Sequence, residues 1–205
     1  PNALTLRTIE DALSLREKMK KARHLVVIGT GVLASEIASA GRTFGADVTM
    51  VGRSNSLSFG SLGNLLSSKI EDLHSRHGVA LRLQSKIIEV LPDGTRQTIR
   101  FEKGEDLVAD LVVAAVGATP CDEWLEGSGL EISNGIACDE RGSAAPGVYA
   151  IGDVASWPDP FSGKPTRGEH QINAIEQAIS VAGSIMENPV KRVPVPFFWS
   201  EIHGA

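Results

Sequence analysis

Apolar positions in this chain switch between two periods, and the switches mark its elements. Leu25-Val26-Val27-Ile28 is a short, wholly apolar, β-branched run, the pattern of a strand buried on both faces. From Leu33 to Phe44 the apolar residues recur at helical spacing, and Gly45 follows where a helix-terminating glycine belongs. Val48-Thr49-Met50-Val51 reads as a second strand. Before this unit, Thr8 to Lys21 predicts a helix, with Thr8 as its cap, Asp11 three residues later and basic residues at its end. After it, Asn55 to Gly63 is a loop rich in small polar residues. Leu65 to Arg76 is an amphipathic helix carrying Leu66, Ile70 and Leu73 on one face.

Val79–Leu83, Lys86–Val90 and Thr98–Glu102 read as strands, the last two joined through Pro92-Asp93-Gly94. Asp110 to Val116 is another buried strand pattern, ending at Gly117. This order predicts an α/β, Rossmann-like doubly wound domain with an antiparallel β excursion before its return strand. Beyond Cys121 the pattern becomes turns and short strands. Val148 to Asp153 reads as a buried strand with a polar end, and Arg167 opens a long helix running to Met186. Pro194 to Ser200 reads as an extended aromatic segment.

The junction between the first strand and its helix carries the clearest chemistry. Gly29-Thr30-Gly31-Val32-Leu33-Ala34 is a G-x-G-x-x-A turn inside a strand–turn–helix–strand unit of about thirty residues. Gly29 permits the tight turn, Gly31 lets a pyrophosphate approach the backbone, and Ala34 lets helix and strand pack closely. The helix N-terminus behind them favours phosphate charge. A glycine-rich turn that binds nothing is the competing reading.

Composition narrows the classes little further. Hydrophobic content of 42% and charged content of 22% are those of an ordinary globular protein. A net charge of −5 without basic runs gives no nucleic-acid surface. No apolar run is long enough for a membrane span, and the N-terminal pattern is not a signal peptide. Cys121 and Cys138 form neither a C-x-x-C pair nor a metal spacing, so no metal site is expected, and reduced thiols in a cytoplasmic protein are. His74 and His77 close a helix without an evident third ligand and read as exposed residues complementing its C-terminus.

Five motifs together resemble one family. G-T-G-V-L-A-S-E at 29–36, V-G-A-T-P at 116–120, G-V-Y-A-I-G-D at 147–153, R-G-E-H-Q-I-N-A at 167–174 and V-P-F-F-W-S at 195–200 are similar to FAD-dependent pyridine nucleotide-disulfide oxidoreductases. They resemble most the ferredoxin-reductase branch, which includes putidaredoxin reductase and the reductases of aromatic-ring dioxygenases. The resemblance covers nearly the whole chain. It implies NAD(P) at Gly29, Thr30, Gly31, Leu33 and Ala34, with Glu36 near the nicotinamide end and Gly117 bordering that pocket. It implies FAD contacts at Gly152, Asp153, Glu169, His170, Gln171, Ala174 and Trp199. Position 171 is commonly tryptophan in the branch, and Gln171 departs from that. The implied reaction is hydride transfer from nicotinamide to flavin, then electron transfer to a ferredoxin-type iron–sulfur protein. The cofactors carry that chemistry, so no acid, base or nucleophile is expected to be indispensable.

The second strand ends in Gly52-Arg53-Ser54, where NAD-selective sites usually place an acid against the ribose 2′-hydroxyl. Nothing there repels a 2′-phosphate, and Arg53 could pair with it, so NADP is expected over NAD. The competing reading makes Arg53 a solvated loop charge.

Only one glycine turn of this type occurs, and the family has an earlier one for the ADP half of FAD. The expected layout is therefore a fragment. Residues 1–118 would form the NAD(P)-binding domain with its leading helix, 119–190 the later part of an FAD-binding domain, and 191–205 the start of an interface domain. A partial flavin domain would leave apolar surface for self-association or for missing segments. Such a chain would bind NAD(P), hold FAD poorly and be inactive alone. Two alternatives stay open: a dithiol-type flavoprotein disulfide reductase, and a non-catalytic NAD(P)H-binding regulatory module.

Overall fold

The computed structural model describes residues 3–58, 63–188 and 199–205. The chain divides into two compact units, Pro1–Gly117 with Ser200–Ala205, and Ala118–Trp199.

The first unit is built on a parallel sheet of four strands: β1 (His24–Ile28), β2 (Asp47–Val51), β3 (Val79–Arg82) and β7 (Leu111–Ala114), in the order β3-β2-β1-β7. Leu25 lies opposite Val48 on one side and Leu111 on the other, which sets the register. Successive side chains point to opposite faces, so each central strand feeds two cores. Leu25 and Val27 of β1, Val48 and Met50 of β2, and Leu111 and Val113 of β7 share one buried cluster. That cluster takes in Leu15 and Met19 of α1 (Ile9–Met19), Ala34, Ile37 and Ala38 of α2 (Val32–Thr43), and Leu66, Ile70 and Leu73 of α3 (Gly63–Arg76).

Val26, Val51 and Val112 face the other way, onto Ile99, Phe101 and Ala109. These belong to an antiparallel sheet of β4 (Ile87–Asp93), β5 (Arg96–Phe101) and β6 (Leu107–Ala109). The β excursion therefore takes the place of a helical layer on the second face. Double-sided burial of this kind explains why the central strands read as unbroken apolar runs.

Capping follows the sequence closely at α1. The Thr8 hydroxyl accepts from Asp11 N, and the Asp11 carboxylate accepts from Thr8 N, a reciprocal capping box.

The second unit has short strands: β8 (Ile136–Ala137), β9 (Ser143–Ala145), β10 (Val148–Tyr149), β11 (Ala155–Pro158) and β12 (Pro165–Thr166). Its long helix, α4, spans Gln171–Ile185. Two readings of the sequence are corrected here. Residues 148–153 are not one buried strand: β10 is two residues long, Val148, Tyr149 and Ile151 are exposed, and only Ala150 is buried. The helix begins at Gln171 rather than Arg167, because His170 has extended backbone and acts as the N-cap, its Nδ1 accepting from Ile172 N. The extended aromatic stretch read over 194–200 lies largely outside the described residues, which include only its last two.

Candidate functional site

The order β3-β2-β1-β7 reverses direction at β1, and a ligand crevice forms at such a reversal beyond the strands' C-terminal ends. The glycine turn sits there. Gly29 has φ +136°, and a Cβ on it would stand 2.1 Å from Ala115 O, so both conformation and space demand glycine. Its N–H donates to Val51 O, and Ala115 N donates to Ile28 O, which locks the turn between β2 and β7.

Gly31 differs: its φ is −87°, and among the described residues a Cβ there would meet only Ser58 O, at 3.7 Å. Among the described residues no other atom fills the space above it. Gly31 also caps α2 without a side-chain hydrogen bond, and the first turn of α2 has no acidic residue. Among the described residues, no side chain caps the positive end of the helix, the end that favours an anion. Ala34 is fully buried beneath this turn, while Leu33 is exposed beside it.

Gly52, Arg53 and Ser54 lie at the end of β2. Gly52 is buried and Arg53 and Ser54 are exposed. The segment is held from β3 and the loop after it: Gly52 N donates to Arg82 O, Ser85 N to Gly52 O and Gln84 N to Ser54 O. Gln84 adopts a left-handed φ of 52° in making its bond. Farther on, Ser58 N donates to Thr30 O, while Leu57 is buried and fixed by Glu71 and Ser67 of α3. The Arg53 side chain pairs with no carboxylate of the described residues.

Glu36 stands on the first turns of α2, half-buried, and its Oε1 accepts from Ser200 Oγ at 2.6 Å. Just beyond Ser200, Ile202 is buried in the first unit's core and His203 N donates to Ser39 Oγ. Gly117, with φ +113°, is exposed past the end of β7.

In the second unit, most of the remaining candidates gather at the start of α4. Gly152 has φ +73°, donates its N–H to Gln177 Oε1 at 2.7 Å and faces Ala174. Asp153 follows with its side chain exposed. Arg167 ties this corner together: it donates to Asp153 O and Asn134 Oδ1 and pairs with Glu169 at 2.6 Å. Glu169 and Gln171 are exposed on either side of the capping His170. The ring of Trp199 meets His170 edge-on, with centroids 6.5 Å apart.

The structure therefore groups Gly29, Thr30, Gly31, Leu33, Ala34, Gly52, Arg53 and Ser54 at one strand end, with Glu36 one turn further along α2. It groups Gly152, Asp153, Glu169, His170, Gln171, Ala174 and Trp199 in the other unit. Sequence reasoning missed Ser200, Arg167 and Gln177, whose partners lie 164, 33 and 25 residues away in the chain, respectively. It also misread His74, which is fully buried rather than exposed. The two cysteines are free thiols, and no metal-binding cluster of His, Cys, Asp or Glu occurs among the described residues. No described helix is long and apolar enough to cross a membrane.

A family model described as pyridine nucleotide-disulphide oxidoreductase matches residues 1–178. The ferredoxin–NAD(+) reductase subunit of the benzene 1,2-dioxygenase system of Pseudomonas putida is 32% identical over 205 residues, covering 100% of this chain and 50% of that protein. In the covalent putidaredoxin reductase–putidaredoxin complex, the matching chain superposes with a TM-score of 0.91 at 29% identity, covering 98% of this chain and 49% of that one. An engineered water-forming NADPH oxidase bound to NADPH, derived from the Lactobacillus brevis NADH oxidase, superposes with a TM-score of 0.81 at 27% identity, covering 92% and 42%. The chain spans about half the length of the curated relatives it matches. A glycine turn at the reversal of a parallel sheet, together with a family match over most of its length, establishes that the chain belongs to the pyridine nucleotide-disulphide oxidoreductase family.

Proposed function

We propose that this chain is the pyridine-nucleotide-binding part of an FAD-dependent reductase that passes electrons to a ferredoxin-type iron–sulfur protein. The observation that carries the reading is the N-terminus of α2 behind Gly31, which no side chain of the described residues caps and where a side chain would meet only Ser58 O among them. In this reading Gly29, Thr30, Gly31, Leu33 and Ala34 form the pyrophosphate cradle, with backbone N–H groups directed at the phosphates. Glu36 and Gly117 border the nicotinamide end.

The residues of the second unit fit a flavin in the same sense. Gly152 turns the chain sharply enough to present Asp153 to solvent, where its carboxylate can accept from sugar or ribityl hydroxyls. The α4 N-terminus, with Glu169, His170, Gln171 and Ala174, supplies positive dipole toward a ring that gains electrons. Trp199 adds an aromatic edge beside His170. FAD, when bound, supplies hydride acceptance and one-electron release; the chain's own residues bind, orient and bias the charge. Residues 119–190 would be the later part of the flavin domain and 191–205 the start of an interface domain.

For the nucleotide we infer NADP rather than NAD. Most of the relatives' names carry NAD(+), so the preference would be a feature of this chain, resting on Gly52, Arg53 and Ser54. Support comes from the engineered NADPH oxidase. Its changes include glycine to alanine and, eighteen residues later, Asp-Ala-Met to Ala-Arg-Ser. This chain has Ala34 and, eighteen residues later, Gly52-Arg53-Ser54. Arg53 is exposed and unpaired among the described residues, as a residue reserved for a phosphate would be.

Titration of the purified chain with NADPH and NADH tests the binding. NADPH should bind at least tenfold more tightly, and a tenfold preference for NADH would overturn the inference. For the wider function, the natural protein that contains this chain should be yellow and should reduce an iron–sulfur acceptor with NAD(P)H. Nucleotide binding without flavin would overturn it.

A further inference from the structure

The end of β2 lacks an acid, and the backbone does not account for that absence. Gly52 has no left-handed φ, so its conformation is open to any L-residue. Among the described residues, what bars a side chain is one neighbour. A Cβ on Gly52 would stand 2.2 Å from Thr30 Cγ2, whereas Thr30 Cβ is 3.5 Å away and Leu83 Cδ2 3.6 Å away, both ordinary contacts.

Neither backbone can retreat freely. Gly52 is pinned by its N–H to Arg82 O and by Ser85 N to its own carbonyl. Thr30 is pinned by Ser58 N to its carbonyl, and the preceding Gly29 by its N–H to Val51 O. Thr30 is β-branched, with two heavy atoms on Cβ, so its methyl has fewer places to go than the end of a long flexible side chain.

From this geometry we propose that Thr30, the middle residue of the glycine turn, is a specificity-determining residue: its methyl group excludes any side chain at position 52. An aspartate or glutamate at the end of β2 would contact the ribose 2′-hydroxyl and repel a 2′-phosphate. Thr30 blocks that acid. The discrimination between the two dinucleotides is thus set jointly by Thr30 and Gly52, two residues on different strand ends that must change together. Arg53 supplies the attraction; the Thr30–Gly52 pair supplies the missing repulsion. The selectivity half of this inference rests on the NADP reading above, whereas the steric coupling does not.

A double-mutant cycle on the 205-residue chain separates the two. Thr30→Ala, Gly52→Asp and the double variant are compared with wild type for thermal midpoint and for affinity toward NADPH and NADH. Overpacking at a pinned site should lower the midpoint of Gly52→Asp by roughly 4–10 °C. The double variant should recover most of that loss, because Thr30→Ala retains only the Cβ that already clears the site. In the double variant the NADPH-to-NADH affinity ratio should fall by about tenfold or more from the wild-type value, as charge repulsion replaces attraction. Gly52→Asp alone should bind both nucleotides weakly.

Additive midpoints, or Gly52→Asp alone matching the double variant in stability and NADH preference, would overturn the coupling. A non-additive cycle in a chain whose wild type prefers NADH would leave the coupling standing and overturn only the NADP reading.

Discussion

Nδ1 of His74 lies 2.9 Å from Nε2 of His203, joining helix α3 to the segment that follows the second unit. The His203 ring also stacks on His77, with centroids 4.2 Å apart and planes 3° from parallel. Arg42, facing His203, donates to His77 O. Three imidazoles and a guanidinium thus share one corner, and the corner tolerates no added charge. Burial, then the neighbouring His203 and His77, push His74 down to about 4. Burial, then His77 and Arg42, also lower His203.

A pH dependence of stability follows. Native His74 protonates near 4 and the unfolded residue near 6.5, so the unfolded chain takes up the proton first as pH falls. The stabilisation is whole above 6.5 and is lost progressively down to 4, on the order of 3 kcal/mol from this residue. Urea midpoints measured across that interval should fall steeply for wild type and less for His74→Asn.

Gly29→Ala should be among the most damaging single changes in the first unit. The added methyl meets the Ala115 carbonyl oxygen at 2.1 Å, with φ in a region alanine avoids. Strain and the broken Val51 and Ala115 bonds should together cost about 3 kcal/mol or more. Chemical denaturation monitored by circular dichroism reads the loss directly.

Arg53→Ala removes an exposed side chain with no described partner, so stability should stay within about 0.5 kcal/mol of wild type. Affinity for NADPH should drop by about tenfold or more, with NADH almost unchanged, since a charge-assisted pair contributes roughly 1.5–3 kcal/mol. Calorimetric titration with both nucleotides distinguishes this from a general weakening.

Arg167→Ala should destabilise the second unit by about 2–4 kcal/mol. Its side chain is only 9% exposed, and its loss strips partners from Asp153 O, Asn134 and Glu169 at once. Hydrogen exchange should show faster opening around residues 152–154 and the first turn of α4. Protection within β1, β2 and β7 should be unaffected.

The parts legible in the sequence were those fixed by local chemistry. The unbroken Leu25–Ile28 run announced a strand buried on both sides, and Thr8 with Asp11 announced a capping box that the structure closes. The glycine turn was readable because the backbone must pass close to Ala115 and leave room above Gly31. Features that depend on distant partners were not readable. His74 resembles any histidine at a helix end until His203, 129 residues away, arrives beside it. Residues 148–153 looked like a core strand because Val148, Tyr149 and Ile151 are apolar, yet only Ala150 turns inward. Gly52 could be seen to lack an acid, but the 2.2 Å approach of Thr30 to any side chain there could not.

The bond between Ser200 and Glu36 has a consequence for biosynthesis. Its partners are 164 residues apart, and all of the second unit is translated between Gly117 and Ser200. A ribosome adding about 5–20 residues per second needs several seconds to cover that interval. Throughout it, α2 and α3 have been made but wait for Ile202 to seal their core and for His203 to cover His74. The nascent first unit is thus an incomplete domain with exposed apolar surface until residues 200–205 emerge, a window in which a chaperone would find its substrate.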